Sequence, residues 1–127
     1  MKILMLTAML FSLNALAFDA GKNFQAVCSA CHTVGGGDKI GPDLAGLDKR
    51  RKAEWVHKFV NYPDGMINGD EEEPGYEKPD PIAKKVYELY KPQLMAEQEM
   101  TLEQVKATLK WIADQKKQPK GKITQLK

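Results

Sequence analysis

Cys28-Ser29-Ala30-Cys31-His32 is the stretch on which the reading of this chain turns. Two thiols three positions apart, with an imidazole next to the second, form the Cys-x-x-Cys-His pattern that attaches a c-type haem. Each sulfur adds to one vinyl group of the porphyrin, and the two intervening residues let both sulfurs reach one edge of the ring. His32 then falls under the iron and offers an imidazole nitrogen, a standard axial ligand. Three rival uses of these residues fit less well. A thioredoxin-like dithiol sits in a βαβ context, which the surrounding sequence lacks. A structural zinc site needs four ligands; Cys28, Cys31 and His57 supply three, and no second histidine follows at zinc-finger spacing. A disulfide between positions three apart is strained. The expectation is one covalently bound haem c per chain, held by Cys28 and Cys31, with His32 as an iron ligand.

Upstream of the motif, Met1-Lys2 opens an apolar run from Ile3 to Leu13, followed by Asn14-Ala15-Leu16-Ala17. A basic start, a short apolar stretch and an Ala-x-Ala site together read as a secretory signal peptide. Residues 1–17 are expected to be cleaved, leaving 18–127 as the functional domain, soluble and exported to the periplasm. The run is short for a membrane span, and no cysteine follows it to carry a lipid, so no membrane anchor is expected after cleavage. The 127 residues carry 19 Lys and Arg against 17 Asp and Glu, a net charge of +2. That balance argues against nucleic-acid binding by bulk charge. With 43% hydrophobic and 28% charged residues, the chain is not disordered throughout. Two cysteines cannot build a disulfide scaffold.

Downstream and around the motif the pattern is helical. Asp19 caps a first helix whose inner face carries Ala20, Phe24 and Val27 and which ends at Cys28. Gly35-Gly36-Gly37 stops any helix and opens a loop that runs through Gly46. A second helix is expected over Lys52–Tyr62, with Trp55, Val56, Phe59 and Val60 as one stripe and Pro63 as its stop. A loop then covers Asp64 to Pro79, and its acidic run Asp70–Glu73 reads as solvated charge. Asp80-Pro81 is an N-cap followed by proline at the first helical position, with Ile82, Val86, Leu89 and Tyr90 as the helix face. Thr101 and Gln104 form a capping box before Leu102, Val105, Leu109 and Ile112. The Lys-rich tail from about residue 115 is expected to fray. No run of alternating strands is visible, so the fold class is mostly α, with about four helices.

The sixth iron position has four candidates: Met66, Met95, Met100 and His57. His57 falls on the polar side of its helix, and Met66 lies in the expected polar loop. Met100 directly precedes the cap Thr101, where it can pack on Val105 as a hydrophobic staple. Met95 lies six residues before the cap and has no such structural task, although it could serve as core filling. Met95 is therefore the expected ligand.

Taken together, these features resemble the class I (monohaem) bacterial cytochrome c family over nearly all of residues 18–127. The Cys-x-x-Cys-His motif near the start, the Gly41-Pro42-Asp43-Leu44-x-Gly46 loop, the Trp55-x-x-x-Phe59 helix, the late Met95 and the closing helix follow in family order. The resemblance implies a small cytochrome c fold of helices wrapped around one haem. It also implies that the Pro42 carbonyl accepts a hydrogen bond from His32, orienting the ring and raising its basicity. Phe24 and Trp111 occupy the positions where the family crosses its first and last helices. The family's small-residue contact falls on Ala20, with Gly21 displaced by one. The ligand methionine is often followed by proline in the family, where this chain has Ala96.

With His32 and Met95 on the iron, no position is open for substrate. The function implied is single-electron transfer between redox protein partners rather than enzymatic catalysis. Docking would be transient, and the identities of donor and acceptor are not written in the sequence. Two basic clusters could steer it, Lys49-Arg50-Arg51-Lys52 and Lys116, Lys117, Lys120 and Lys122. The alternatives are a haem enzyme or gas sensor with an open sixth site, and an electron-transfer subunit of a larger redox enzyme.

Overall fold

The computed structural model describes residues 17–126, and among them the architecture is entirely helical. Six α-helices follow in order: α1 (Ala20–Ala26), α2 (Leu47–Arg50), α3 (Ala53–Asn61), α4 (Pro63–Asn68), α5 (Pro81–Tyr90) and α6 (Leu102–Asp114). A 3-10 turn, Cys28–Ala30, follows α1, and another, Lys122–Gln125, closes the chain. The leader expected over residues 1–17 lies, apart from Ala17, outside the described residues.

The helix ends follow their caps. Asp19 accepts the Lys22 N–H at 3.0 Å, and Asp80 accepts from Ile82 and Ala83, each at 2.9 Å. Thr101 and Gln104 exchange both bonds of the capping box, at 3.0 and 3.1 Å. Satisfying these otherwise orphaned N–H groups fixes where each helix begins.

Helix α6 is the central element, since α1, α2 and α3 all pack on it. Its crossing with α1 is set by Phe24 and Trp111, whose rings lie 4.9 Å apart at 32°. The residue that permits the close approach is Gly21 rather than Ala20. A Cβ on Gly21 would come within 2.7 Å of the indole nitrogen of Trp111. Matching by family position put the contact one residue too early, because α1 starts at Ala20 and its turn brings Gly21 under the indole. A second core lies between α3, α4 and α5, where Met66, Ile67 and Ala83 are buried against Trp55 and Phe59.

Besides α2 (Leu47–Arg50), a short helix where none was expected and one reason the count is six rather than about four, two segments depart from the sequence expectation. The first turn of the expected loop 64–79 is helical. Pro63 ends α3 and also opens α4 from its first position, where its missing N–H costs nothing. Gly65 fits beneath the Tyr62 ring, and a helix of six residues is too short to show a period in the sequence. Met66 is consequently core, not a loop residue. The acidic remainder is also ordered: Asp70 takes the Tyr62 hydroxyl at 2.7 Å, and the Tyr76 hydroxyl donates to Lys58 O at 3.2 Å. Glu71, Glu72 and Glu73 are exposed, as solvated charges should be.

The second departure is the tail. It does not fray after Asp114 but turns at Lys116 and runs back across the Gly35–Gly37 loop. Ile123 is buried there, and the ammonium of Lys122 bonds Leu89 O at 2.6 Å. Its backbone N–H groups bind carboxylates of the loop while most of its side chains face water. That mode of docking leaves no hydropathy pattern to read.

Candidate haem site

The Cys-x-x-Cys-His residues stand where α1 ends. Val27 caps that helix, and the 3-10 turn Cys28–Ala30 brings Cys31 and His32 round, with Cys31 N and His32 N both donating to Cys28 O. The loop then folds back over His32. Gly41 N donates to Cys31 O at 2.8 Å, and a Cβ on Gly41 would strike His32 Cε1 at 2.6 Å. Glycine is therefore required where the backbone passes over the imidazole. One residue on, the Pro42 carbonyl oxygen lies 2.8 Å from His32 Nδ1. That contact makes Nδ1 the protonated nitrogen and leaves Nε2 with its lone pair free for a metal.

Cys28, Cys31, His32, Pro42, Met95 and Met100 all line one cavity of about 320 Å³. Its walls are mainly apolar, built from the Trp55/Val56/Phe59/Val60 stripe of α3 together with side chains of α5 and α6. Trp55 and Phe59 stack in parallel there, with their rings 5.2 Å apart. Arg50 and Arg51 are the cationic members of the wall. The first bonds Ala45 O, and the second lies over the Trp55 ring at 5.4 Å. Val27, Ile40 and Leu94 are in the wall yet 45%, 50% and 37% exposed, so they stand where the cavity opens to solvent. Val27 was expected on the inner face of α1 and belongs instead to this opening.

The protonation states suit ligation. Burial lowers the His32 pKa, opposed by the bond to Pro42, so the ring is neutral and able to ligate. Burial, then the neighbouring Cys31, raises Cys28. No disulfide joins Cys28 and Cys31, and a raised pKa at Cys28 is the reverse of what an exchange-active dithiol needs. Among the described residues, no three His, Cys, Asp or Glu side chains gather as metal ligands.

Of the other candidate ligands, Met66 is buried between α4 and α5, and neither Met66 nor His57 lines the cavity. Met100 does line it, but its side chain also packs on Val56, Val105 and Leu109. Its backbone is gripped at both ends by Asn61, which accepts Met100 N–H at 2.8 Å and donates to Met100 O at 2.9 Å. Met95 is half-buried in the wall.

Sequence reasoning missed two structural residues of the site. Asp43 is completely enclosed, and its carboxylate accepts four backbone N–H groups, from Gly35, Gly37, Ala45 and Lys120, at 2.7 to 3.1 Å. Burial alone would raise this carboxyl, but those four donors outweigh it and hold it below the usual carboxylate range. Asn61 is the other. Each also has near partners, but the contact that ties it into the site is distant, Lys120 for Asp43 and Met100 for Asn61, and a distant contact leaves no local sequence signature.

A cavity walled by helices, with two thiols and an oriented imidazole in its lining, is the architecture of a helical protein that binds haem covalently. The chain belongs to the cytochrome c family: the family model described as cytochrome c matches residues 18–116. Among solved structures it is similar to a cytochrome c from Rhodothermus marinus, at 25% identity and a TM-score of 0.59, over 76% of this chain and 75% of that one. It is also similar to the cytochrome c domain of the pp3183 protein from Pseudomonas putida, at 28% identity and a TM-score of 0.54, over 74% of this chain and 84% of that one. No curated protein matches. The cofactor is covalently bound haem c, with Cys28 and Cys31 in the attachment positions, and the protein is a haem-binding electron-transfer protein. Among the described residues, no helix is long and apolar enough to cross a membrane.

Proposed function

We propose that this chain is an exported, periplasmic one-electron carrier whose iron is held by His32 and Met95 and which passes electrons between transiently docked redox proteins. The observation that carries this reading is the fixed imidazole: Nδ1 is tied to Pro42 O at 2.8 Å, with the ring in the wall of a large apolar cavity that also includes Met95. The haem supplies a one-electron Fe(III)/Fe(II) couple, and a thioether ligand favours the ferrous state more than a second imidazole would. The protein's own part is to hold its ligands still and keep water out. Pro42 fixes the ring plane of His32 and increases its donor strength. The α3 stripe and the α6 face supply a dry wall, which keeps reorganisation small on electron transfer.

Met95 is preferred over Met100 because Met100 already has a structural place, between the Asn61 clamp and the Val56/Val105/Leu109 cluster. Partner docking belongs at the opening marked by Val27, Ile40 and Leu94, where the cavity reaches the surface. Of the basic residues, Lys49, Lys52, Lys116, Lys117 and Lys120 are exposed and able to steer a partner. Arg50, Arg51 and Lys122 have their head groups engaged within the protein.

Optical spectra of the haem-loaded protein, oxidised and reduced, with and without carbon monoxide, test the reading. A far-red sulfur-to-ferric-iron band and no response to carbon monoxide are expected. Met95→Ala should abolish the band, and Met100→Ala should retain it. A high-spin ferric spectrum with ready carbon monoxide binding would replace the carrier by an enzyme or gas sensor with an open site.

A further inference from the structure

We propose that the C-terminal segment 117–126 is a positioning strap for the proximal histidine and acts on it through Asp43; the proposal rests on His32 being the iron ligand. The Pro42 carbonyl that receives His32 and the Asp43 N–H are two ends of one planar peptide unit. Where Asp43 sits therefore decides where that carbonyl points. The Asp43 side chain holds the position by its four backbone bonds. Oδ1 takes Gly35 N–H at 2.7 Å and Ala45 N–H at 2.9 Å, while Oδ2 takes Gly37 N–H at 2.9 Å and Lys120 N–H at 3.1 Å. Three of these donors belong to the loop itself. The fourth comes from the tail, 77 residues further along the chain.

The tail is seated for this contact rather than merely lying nearby. Asp38, in the same loop, takes Lys122 N–H at 2.9 Å on one oxygen and the hydroxyl of the buried Tyr90 at 2.7 Å on the other. The Lys122 ammonium lies over the Tyr90 ring at 4.5 Å. Gly35, at φ +81°, leaves room for Lys117, whose Cβ would be 2.6 Å from a Cβ at position 35. Gly121, at φ +88°, does the same beside the Asp38 carboxylate. Two loop carboxylates thus each bind one tail amide, and the loop glycines form the groove in which the tail lies. The cytochrome c family match ends at residue 116, so the strap lies outside the matched residues. Its effect is to complete the shell around Asp43 and so hold the Pro42 carbonyl against His32 Nδ1. A held bond keeps the imidazole oriented and basic.

The test compares four forms of the haem-loaded protein: full length, a chain ending at Lys116, Gly121→Val and Asp43→Asn. Gly121→Val disturbs the strap by steric conflict with Asp38 but keeps every side chain, including Ile123 and Leu126, which line the cavity, so it serves even where the shortened chain fails to mature. Asp43→Asn retains the shape but replaces one acceptor oxygen by a donor. The readout is solvent exchange of the His32 ring N–H in the reduced protein, followed by NMR, together with the reduction potential. Each variant should speed exchange about tenfold, as loss of one bond in the shell would. Each should also raise the potential, because a weaker bond to Pro42 makes the imidazole a poorer donor to ferric iron. Gly121→Val combined with Asp43→Asn should fall short of the product of the two, since both cut one link. A lower melting temperature with unchanged exchange and potential would reduce the strap to a stabilising element and overturn the proposal. Fully multiplicative effects would overturn the route through Asp43. The parent reading is checked separately on the unaltered protein: if His32 shows no iron-ligand signals there, that reading fails before any variant is compared.

Discussion

Two irregular stretches face the same cavity and are held in opposite ways. The loop 32–46, which orients His32, contains little apolar bulk but is bound throughout by polar contacts. Asp43 collects four N–H groups, Thr33 donates its hydroxyl to Gly37 O at 2.6 Å, and Leu44 N–H closes on Thr33 O at 2.8 Å. The stretch 91–101, which carries Met95, has two long-range ties, and both lie after the methionine. Gln98 N–H reaches Val60 O at 2.7 Å, and Asn61 clamps Met100. The lesson is that the two sides of one cavity belong to different stability classes. Many mutually dependent bonds make the histidine loop open only with the whole fold, whereas two point anchors allow the methionine stretch to open locally.

The largest break in that contrast should come from Asp43→Ala. It strands several N–H groups around a fully enclosed position and should cost about 3–4 kcal/mol in urea unfolding of the haem-loaded protein. The loss should depend on pH in a definite sense. Because the folded carboxyl is held below its usual range, its contribution is complete above about pH 4 and disappears as the pH falls through the lower folded value. Wild type and variant should therefore draw closer in strong acid, by the part of the gap that the charge carries. A constant gap across that range would mean that shape, not charge, holds the loop.

Asn61→Ala comes next, with about 2 kcal/mol from the two bonds flanking Met100. Its signature should differ in kind. With Met95 on the iron as proposed, the sulfur-to-iron band should fade on warming well before helical circular dichroism does, because only the methionine stretch has been freed. Simultaneous loss of both signals would show that the two stretches open as one unit.

The same contrast explains what could be read in the sequence. The helices of the haem domain were legible because their signals are local: the Asp19 and Asp80 caps, the Thr101/Gln104 box and the apolar stripe of α3 all act within a few residues. The attachment motif was legible for the same reason, since its chemistry demands fixed spacing. Helices α2 and α4 were not, because elements of four and six residues show no period. The strap was not either, because its attachment is made by backbone N–H groups that every residue except proline possesses. Asp43 looks like any loop aspartate until the tail folds over it. Met66 and Gly21 mark a third kind of miss, where tertiary packing decides which of two neighbouring options is used.

The smallest expected effect tests whether the methionine stretch depends on the start of α6. Thr101 is exposed, and its side chain makes only the cap bond to Gln104 N. Thr101→Ala should therefore cost about 1 kcal/mol. For a domain of this size that is a fall in melting temperature of about 4–8 °C. The sulfur band should persist up to the new melting point, because Asn61 still holds Met100 from α3 and Gln98 still reaches Val60. Premature loss of the band would mean that the capping box, one residue beyond Met100, is itself an anchor of the methionine stretch. The two sides of the site would then differ only in the number of their bonds and not in how those bonds cooperate.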